Sequence, residues 1–108
     1  MPRIDEITPP KLKTLRRYGL TATEWLAIVE RQGGSCPICQ LSLAGRTCVT
    51  DHEHVRGWKK MRPEERKKHV RGILHSFCNS HCVGRFMTLA KAIALASYLK
   101  AHHDRRSK

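Results

Sequence analysis

Cys36-Pro37-Ile38-Cys39 places two thiols two residues apart, the spacing that lets both sulfurs reach one tetrahedral ion at about 2.3 Å. Further along, His75-Ser76-Phe77-Cys78 repeats the gap with an imidazole in place of one thiol. Together they make a Cys3His set of the kind that holds structural zinc. Cys82, four residues after Cys78, offers an alternative partner on one helix face that would leave His75 free. The mirrored spacing favours His75, with Cys82 packing as a small apolar residue in the helix that follows and Cys48 in the core. Four protein ligands leave no open position, so the zinc is expected to hold the fold and do no chemistry.

The flanks read as helices. Thr8-Pro9-Pro10 joins a capping hydroxyl to prolines suited to a first turn, and Gly19 suits a left-handed end, which predicts a helix from about Pro9 to Tyr18. Thr21 and Glu24 match a capping box, opening a second helix that runs to about Arg31, with Trp25, Leu26, Ile28 and Val29 as its core stripe. Gln32-Gly33-Gly34-Ser35 stops it. From Cys36 to Leu74 the helical period vanishes; Val49-Thr50-Asp51 and Val70-Arg71-Gly72-Ile73-Leu74 are the strand candidates. Beyond Cys82, Phe86, Leu89, Ile93, Ala96 and Leu99 recur at helical spacing. That apolar helix is expected to wrap against the first two, or else to pack on a second copy of the chain. The tail His102 to Lys108 reads as polar and frayed.

Composition bounds the function. A chain of 108 residues fits one domain, with helices over about 9–31, the zinc and hairpin region over 36–78 and C-terminal helices over 79–102. Its net charge of +12 points to a polyanionic partner. No apolar run approaches the roughly 18 residues of a membrane span, and Met1 to Glu6 has no secretory core. Five cysteines, an odd number, read better as metal ligands in a reducing cytoplasm than as disulfides. The segment Val55 to Arg71 holds eight basic residues and two acids, half the net charge. Arg56, Lys59, Lys60, Arg62, Lys67, Lys68 and Arg71 are its candidate phosphate contacts.

Asp51-His52-Glu53-His54 follows a strand candidate inside this basic region, and Asn79 directly follows Cys78. Strand alternation sends Asp51 and Glu53 to one side and the two histidines to the other. With Tyr18-Gly19-Leu20-Thr21, Arg31-Gln32-Gly33-Gly34, the cysteine pairs, Arg71-Gly72-Ile73-Leu74 and Gly84, these residues make the chain similar to the HNH, or ββα-metal, nucleases. Within them it resembles the phage recombination endonuclease VII family over roughly residues 10 to 90.

The resemblance implies an α+β, zinc-stabilised His-Me finger fold with N-terminal helices and a C-terminal helix. It implies that Asp51 and Asn79 ligate a catalytic divalent ion, normally Mg2+, that His52 is the general base, and that His54 is an auxiliary ligand or substrate contact. If the chain is phage-encoded, its place of action is the host-cell cytoplasm. Glu53 is either solvated or holds a basic neighbour. Two departures stand out. His75 takes the place of a usual cysteine, and Val55 to His69 is longer than the family's short turn. The longer stretch reads as an extended hairpin gripping DNA, with Trp58 either stacked on a base or sugar or buried beneath it. The rival reading is a zinc-ribbon-like DNA-binding module without catalysis, which explains charge and cysteines but not the grouping of Asp51, His52 and Asn79.

Overall fold

Helix α1 spans Leu12–Arg17 in the computed structural model, which describes residues 6–106 of the chain. It begins later than the expected start at Pro9, and Thr8 is not its cap. Lys11 flanks it with ψ 152° and no side-chain cap is made. The prolines are the cause, because a residue preceding proline is driven out of the helical region, which keeps Thr8 and Pro9 outside the helix. At the other end Gly19 takes a left-handed φ of 71°, and the amides of Gly19 and Leu20 return to the carbonyls of Arg16 and Leu15.

The capping box is formed as expected. Thr21 Oγ1 accepts the Glu24 amide at 3.1 Å, and the Glu24 carboxylate accepts the Thr21 amide at 3.0 Å. Helix α2, Ala22–Arg31, follows and buries Trp25 and Val29, with Leu26 and Ile28 half-buried. Strands β1, Cys48–His52, and β2, Val70–His75, form an antiparallel pair with Cys48 opposite His75 and Asp51 opposite Gly72. A bulge between Asp51 and His52 then sets His52 opposite Val70. Trp25 of α2 donates its indole N–H to Thr50 of β1 at 3.1 Å.

A two-stranded sheet leaves backbone groups of its inner strand unpaired, and Gln32 supplies what a third strand would. Its side-chain amide donates to the Ile73 carbonyl at 2.8 Å and its oxygen accepts the Ile73 N–H at 2.9 Å. A Cβ at Gly72 would lie 2.7 Å from that Gln32 oxygen, so a side chain there would push the amide out of this position.

The connection between the strands is not the extended hairpin expected for Val55 to His69. It forms a 3-10 turn at Trp58–Lys60, helix α3 at Pro63–Arg66 and a second 3-10 turn at Lys67–His69. Pro63 at the helix start, Glu64 and Glu65 in its first turn and Arg66 in its last suit a helix and oppose a strand. After β2, helix α4 covers Ser76–Cys78 and widens into a π turn at Asn79–Val83, closed by the Gly84 amide on the Asn79 carbonyl at 2.9 Å.

Helix α5 spans Leu89–Arg106, with Thr88 Oγ1 accepting the Lys91 amide and Phe86 ahead of it. The expected wrapping of this helix against α1 and α2 does not occur. None of its residues is buried, and Ile93 and Leu99 are 58% and 56% exposed. The core is already filled by Ile7, Leu15, Leu20, Trp25, Val29, Leu43, Ile73 and Leu74 beside Cys36 and Cys78. The tail expected to fray is helical through Arg106; Ser107 and Lys108 lie outside the described residues. No helix among the described residues is long and apolar enough to cross a membrane.

Removing the Gln32 amide strips both partners from a fully buried backbone unit, each worth about 1–3 kcal/mol when left unmade. Gln32→Ala is therefore expected to lower unfolding free energy by about 2–4 kcal/mol, read as a lower urea midpoint at unchanged slope.

Candidate metal centre and active site

The first cysteine pair sits in a tight knuckle. The Cys36 amide donates to the Leu41 carbonyl and the Gln40 amide to the Cys36 carbonyl, both at 2.9 Å, with Gln40 at a left-handed φ of 70°. The second pair closes β2 and opens α4. The ligand atoms of Cys36, Cys39, His75 and Cys78 all lie within 4.8 Å of one another, a spread that fits one ion with bonds of about 2.0–2.3 Å. His75 is thus the fourth member and Cys82 is not. Cys82 is exposed on the π turn, against the expectation that it packs in a helix. Cys48 is half-buried, donating its thiol to the carbonyls of Leu43 and Arg46.

His75 is oriented for ligation. Its Nε2 faces the Ser42 carbonyl at 2.8 Å and so carries the hydrogen, which leaves Nδ1, 3.1 Å from Cys39 Sγ, with the lone pair. Ser42 was not legible as an orienting group, because its contact is made by a backbone atom. Burial pushes the Cys36 thiol up, but hydrogen bonds from the backbone of Cys39, His75 and Ile38 outweigh it and leave its pKa lowered. Burial, followed by hydrogen bonds and charge from Cys39 and Cys36, pushes Cys78 up to about 12. A cation entering the cluster must displace that proton, so uptake weakens as pH falls.

The second constellation lies where β1 ends. Asp51 is buried and held by Arg71 in a fork, with Nε to Oδ2 at 2.8 Å and Nη2 to Oδ1 at 3.0 Å. His52 is half-buried, and its ring lies 4.7 Å from that of exposed His54, consistent with the two histidines sharing a side. Glu53 holds a basic neighbour, accepting or sharing a hydrogen bond with His69 Nδ1 at 2.9 Å. Burial and the positive potential of His54 lower the His52 pKa, with Arg71 and His69 adding to it and Asp51 opposing, so the imidazole is neutral near pH 7. Asn79 is half-buried at the head of the π turn, directly after the last ligand of the cysteine cluster.

Trp58 is half-buried at the start of its 3-10 turn. Its indole stacks on the His52 ring with centroids 4.3 Å apart and planes 23° from parallel, beside Tyr18 and Arg66. An open groove of about 720 Å3 runs alongside, lined by His52, His54, Arg56, Trp58, Lys59, Lys60, Arg85 and Phe86. Of the basic candidates, Arg56, Lys59, Lys60, Arg62 and Lys68 are exposed. Lys67 pairs with Glu24, and Arg71 pairs with Asp51 while remaining 42% exposed. Arg85 escaped the sequence reading because it lies far along the chain from the basic segment.

Comparison with known proteins follows the same outline. The family described as recombination endonuclease VII matches residues 11–101. Two phage proteins are similar over 73 residues, 67% of this chain: the Gene 59 protein of Mycobacterium phage D29 at 38% identity and that of Mycobacterium phage L5 at 34%. The chain spans 38% of the length of each of these relatives. No solved structure matches the chain significantly.

Zinc analysis of the purified protein is expected to give one ion per chain. Cys36→Ser should contain none and lose its cooperative melt, since apparent binding energies of structural zinc, about 10–16 kcal/mol in zinc-finger peptides, exceed the stability of a small domain. Wild-type protein should release the ion progressively on acidification, measured with a colorimetric chelator.

Proposed function

Because the chain belongs to the recombination endonuclease VII family, we propose that it is a metal-dependent DNA endonuclease of the ββα-metal, or HNH, type. The observation that carries this reading is His52, a neutral, half-buried imidazole next to a buried, forked carboxylate at the rim of a basic groove. Zinc in the Cys3His cluster would hold the fold, since its four ligands leave no position for substrate.

In this reading His52 takes the proton of the water that attacks phosphorus, a task suited to an imidazole free of its proton at neutral pH. Asp51 and Asn79 would hold a divalent ion, Mg2+ by preference, as hard oxygen donors suit it. When bound, that ion supplies positive charge to the phosphate and the leaving oxygen. Both Asp51 oxygens are engaged by Arg71, so an ion bound there would share an oxygen with the guanidinium or displace it. His54, exposed beside His52, contacts the same phosphate or assists in holding the ion. Arg56, Lys59, Lys60, Arg62 and Lys68 position the DNA backbone; Lys67 and Arg71 join them through the donors their carboxylate partners leave over.

Cutting both strands with one such site per chain calls for two copies or two sequential nicks, and the exposed apolar face of α5 is the surface we assign to a second copy. Light scattering is expected to give twice the chain mass. The similar proteins are phage proteins, which supports a place of action inside an infected host cell.

Plasmid nicking in Mg2+ is the direct test. His52→Ala, Asp51→Asn and Asn79→Ala should each cut at least about 100-fold more slowly while remaining folded. Equal cleavage by His52→Ala would overturn the mechanism, and Mg2+-independent DNA binding without any cleavage would favour the non-catalytic zinc-ribbon-like module.

A further inference from the structure

We propose that Trp58 is a positioning residue for His52, and that the long connection between β1 and β2 exists in part to carry it there. The inference rests on His52 being the general base.

The connection is anchored on the helical side of the molecule at three points. Arg66 donates from Nε to the Trp58 carbonyl at 3.1 Å, from Nη2 to the Lys59 carbonyl at 2.7 Å and from Nη1 to the Arg17 carbonyl at 3.2 Å. One side chain therefore ties the Trp58 turn to the end of α1. The Pro63 carbonyl abuts Gly19, where a Cβ would overlap it, and Lys67 pairs with Glu24 of α2. The turn is thus a braced arm whose tip is the indole.

The tip meets the imidazole face to face. The His52 and Trp58 centroids are 4.3 Å apart at 23°, and Tyr18 closes the group at 5.5 Å from His52 and 5.8 Å from Trp58. The Arg66 guanidinium lies 4.4 Å from the indole centroid. The indole N–H is buried with no hydrogen-bond partner. An imidazole at a bulged strand end can rotate about its last side-chain bond, and proton transfer tolerates little misalignment. The stacked indole confines the ring to one plane. It also explains why this tryptophan, set among basic residues, need not stack on DNA.

The test measures single-turnover nicking, DNA affinity without Mg2+ and the His52 ring proton resonances for Trp58→Phe, Trp58→Leu and Trp58→Ala. Trp58→Leu and Trp58→Ala are expected to slow cleavage about tenfold or more at unchanged DNA affinity, and to move the His52 ring resonances as the ring current is lost. Trp58→Phe, which keeps a flat face and removes the unpaired N–H, should restore most of the rate. Trp58→Leu cleaving at the wild-type rate would overturn the proposal. So would an affinity loss matching the rate loss, the mark of a DNA-stacking residue. If Trp58→Ala fails to fold, the Phe and Leu pair still decides. His52→Ala run alongside separates the two readings: full cleavage by it removes the assigned base, whereas a dead His52→Ala with active Trp58 variants removes only this inference.

Discussion

Four ligand atoms drawn from two distant stretches of chain lie within 4.8 Å of one another, and through them the knuckle at Cys36 and Cys39 is tied to the junction of β2 and α4. The apolar core beside them is small, and an ion held by these four residues would add a link that so small a core can use. The same knot also sets the site. His75 stands opposite Cys48, where β1 begins, and Cys78 immediately precedes Asn79. The elements bearing Asp51, His52 and Asn79 are therefore referred to one origin, so that folding and the geometry of the candidate site depend on a shared anchor.

What the sequence made legible was local in character. The Thr21 and Glu24 capping box, the left-handed Gly19 and the two-residue spacing within each ligand pair are patterns whose meaning is complete within a few residues. The strands were readable to within a residue at most ends. What escaped depends on partners far along the chain. Gln32 read as a helix stop, and only the presence of β2 turns it into a surrogate strand for Ile73. Val55 to His69 read as a hairpin, although Pro63, Glu64, Glu65 and Arg66 carry a helix signature. The spacing of apolar residues in α5 was real, but periodicity states only that a face exists and not what meets it.

Net charge likewise overstates the surface open to a polyanion. Within the connection and the start of β2, Arg66 is spent on three backbone carbonyls, Lys67 on Glu24 and Arg71 on Asp51. These cations organise the molecule before they can meet any phosphate. Of the outward residues, Arg56, Lys59 and Lys60 line the groove that runs past His52 and His54, where Arg85 joins them from beyond β2. Four cations thus stand beside the candidate site.

The bare backbone at position 19 has a further meaning. It turns the chain out of α1, and it also leaves a socket into which the Pro63 carbonyl fits. The inserted arm and its receptor are therefore a matched pair. Grafting residues 53 to 69 onto another scaffold would succeed only where that scaffold offers an equally naked peptide opposite the arm.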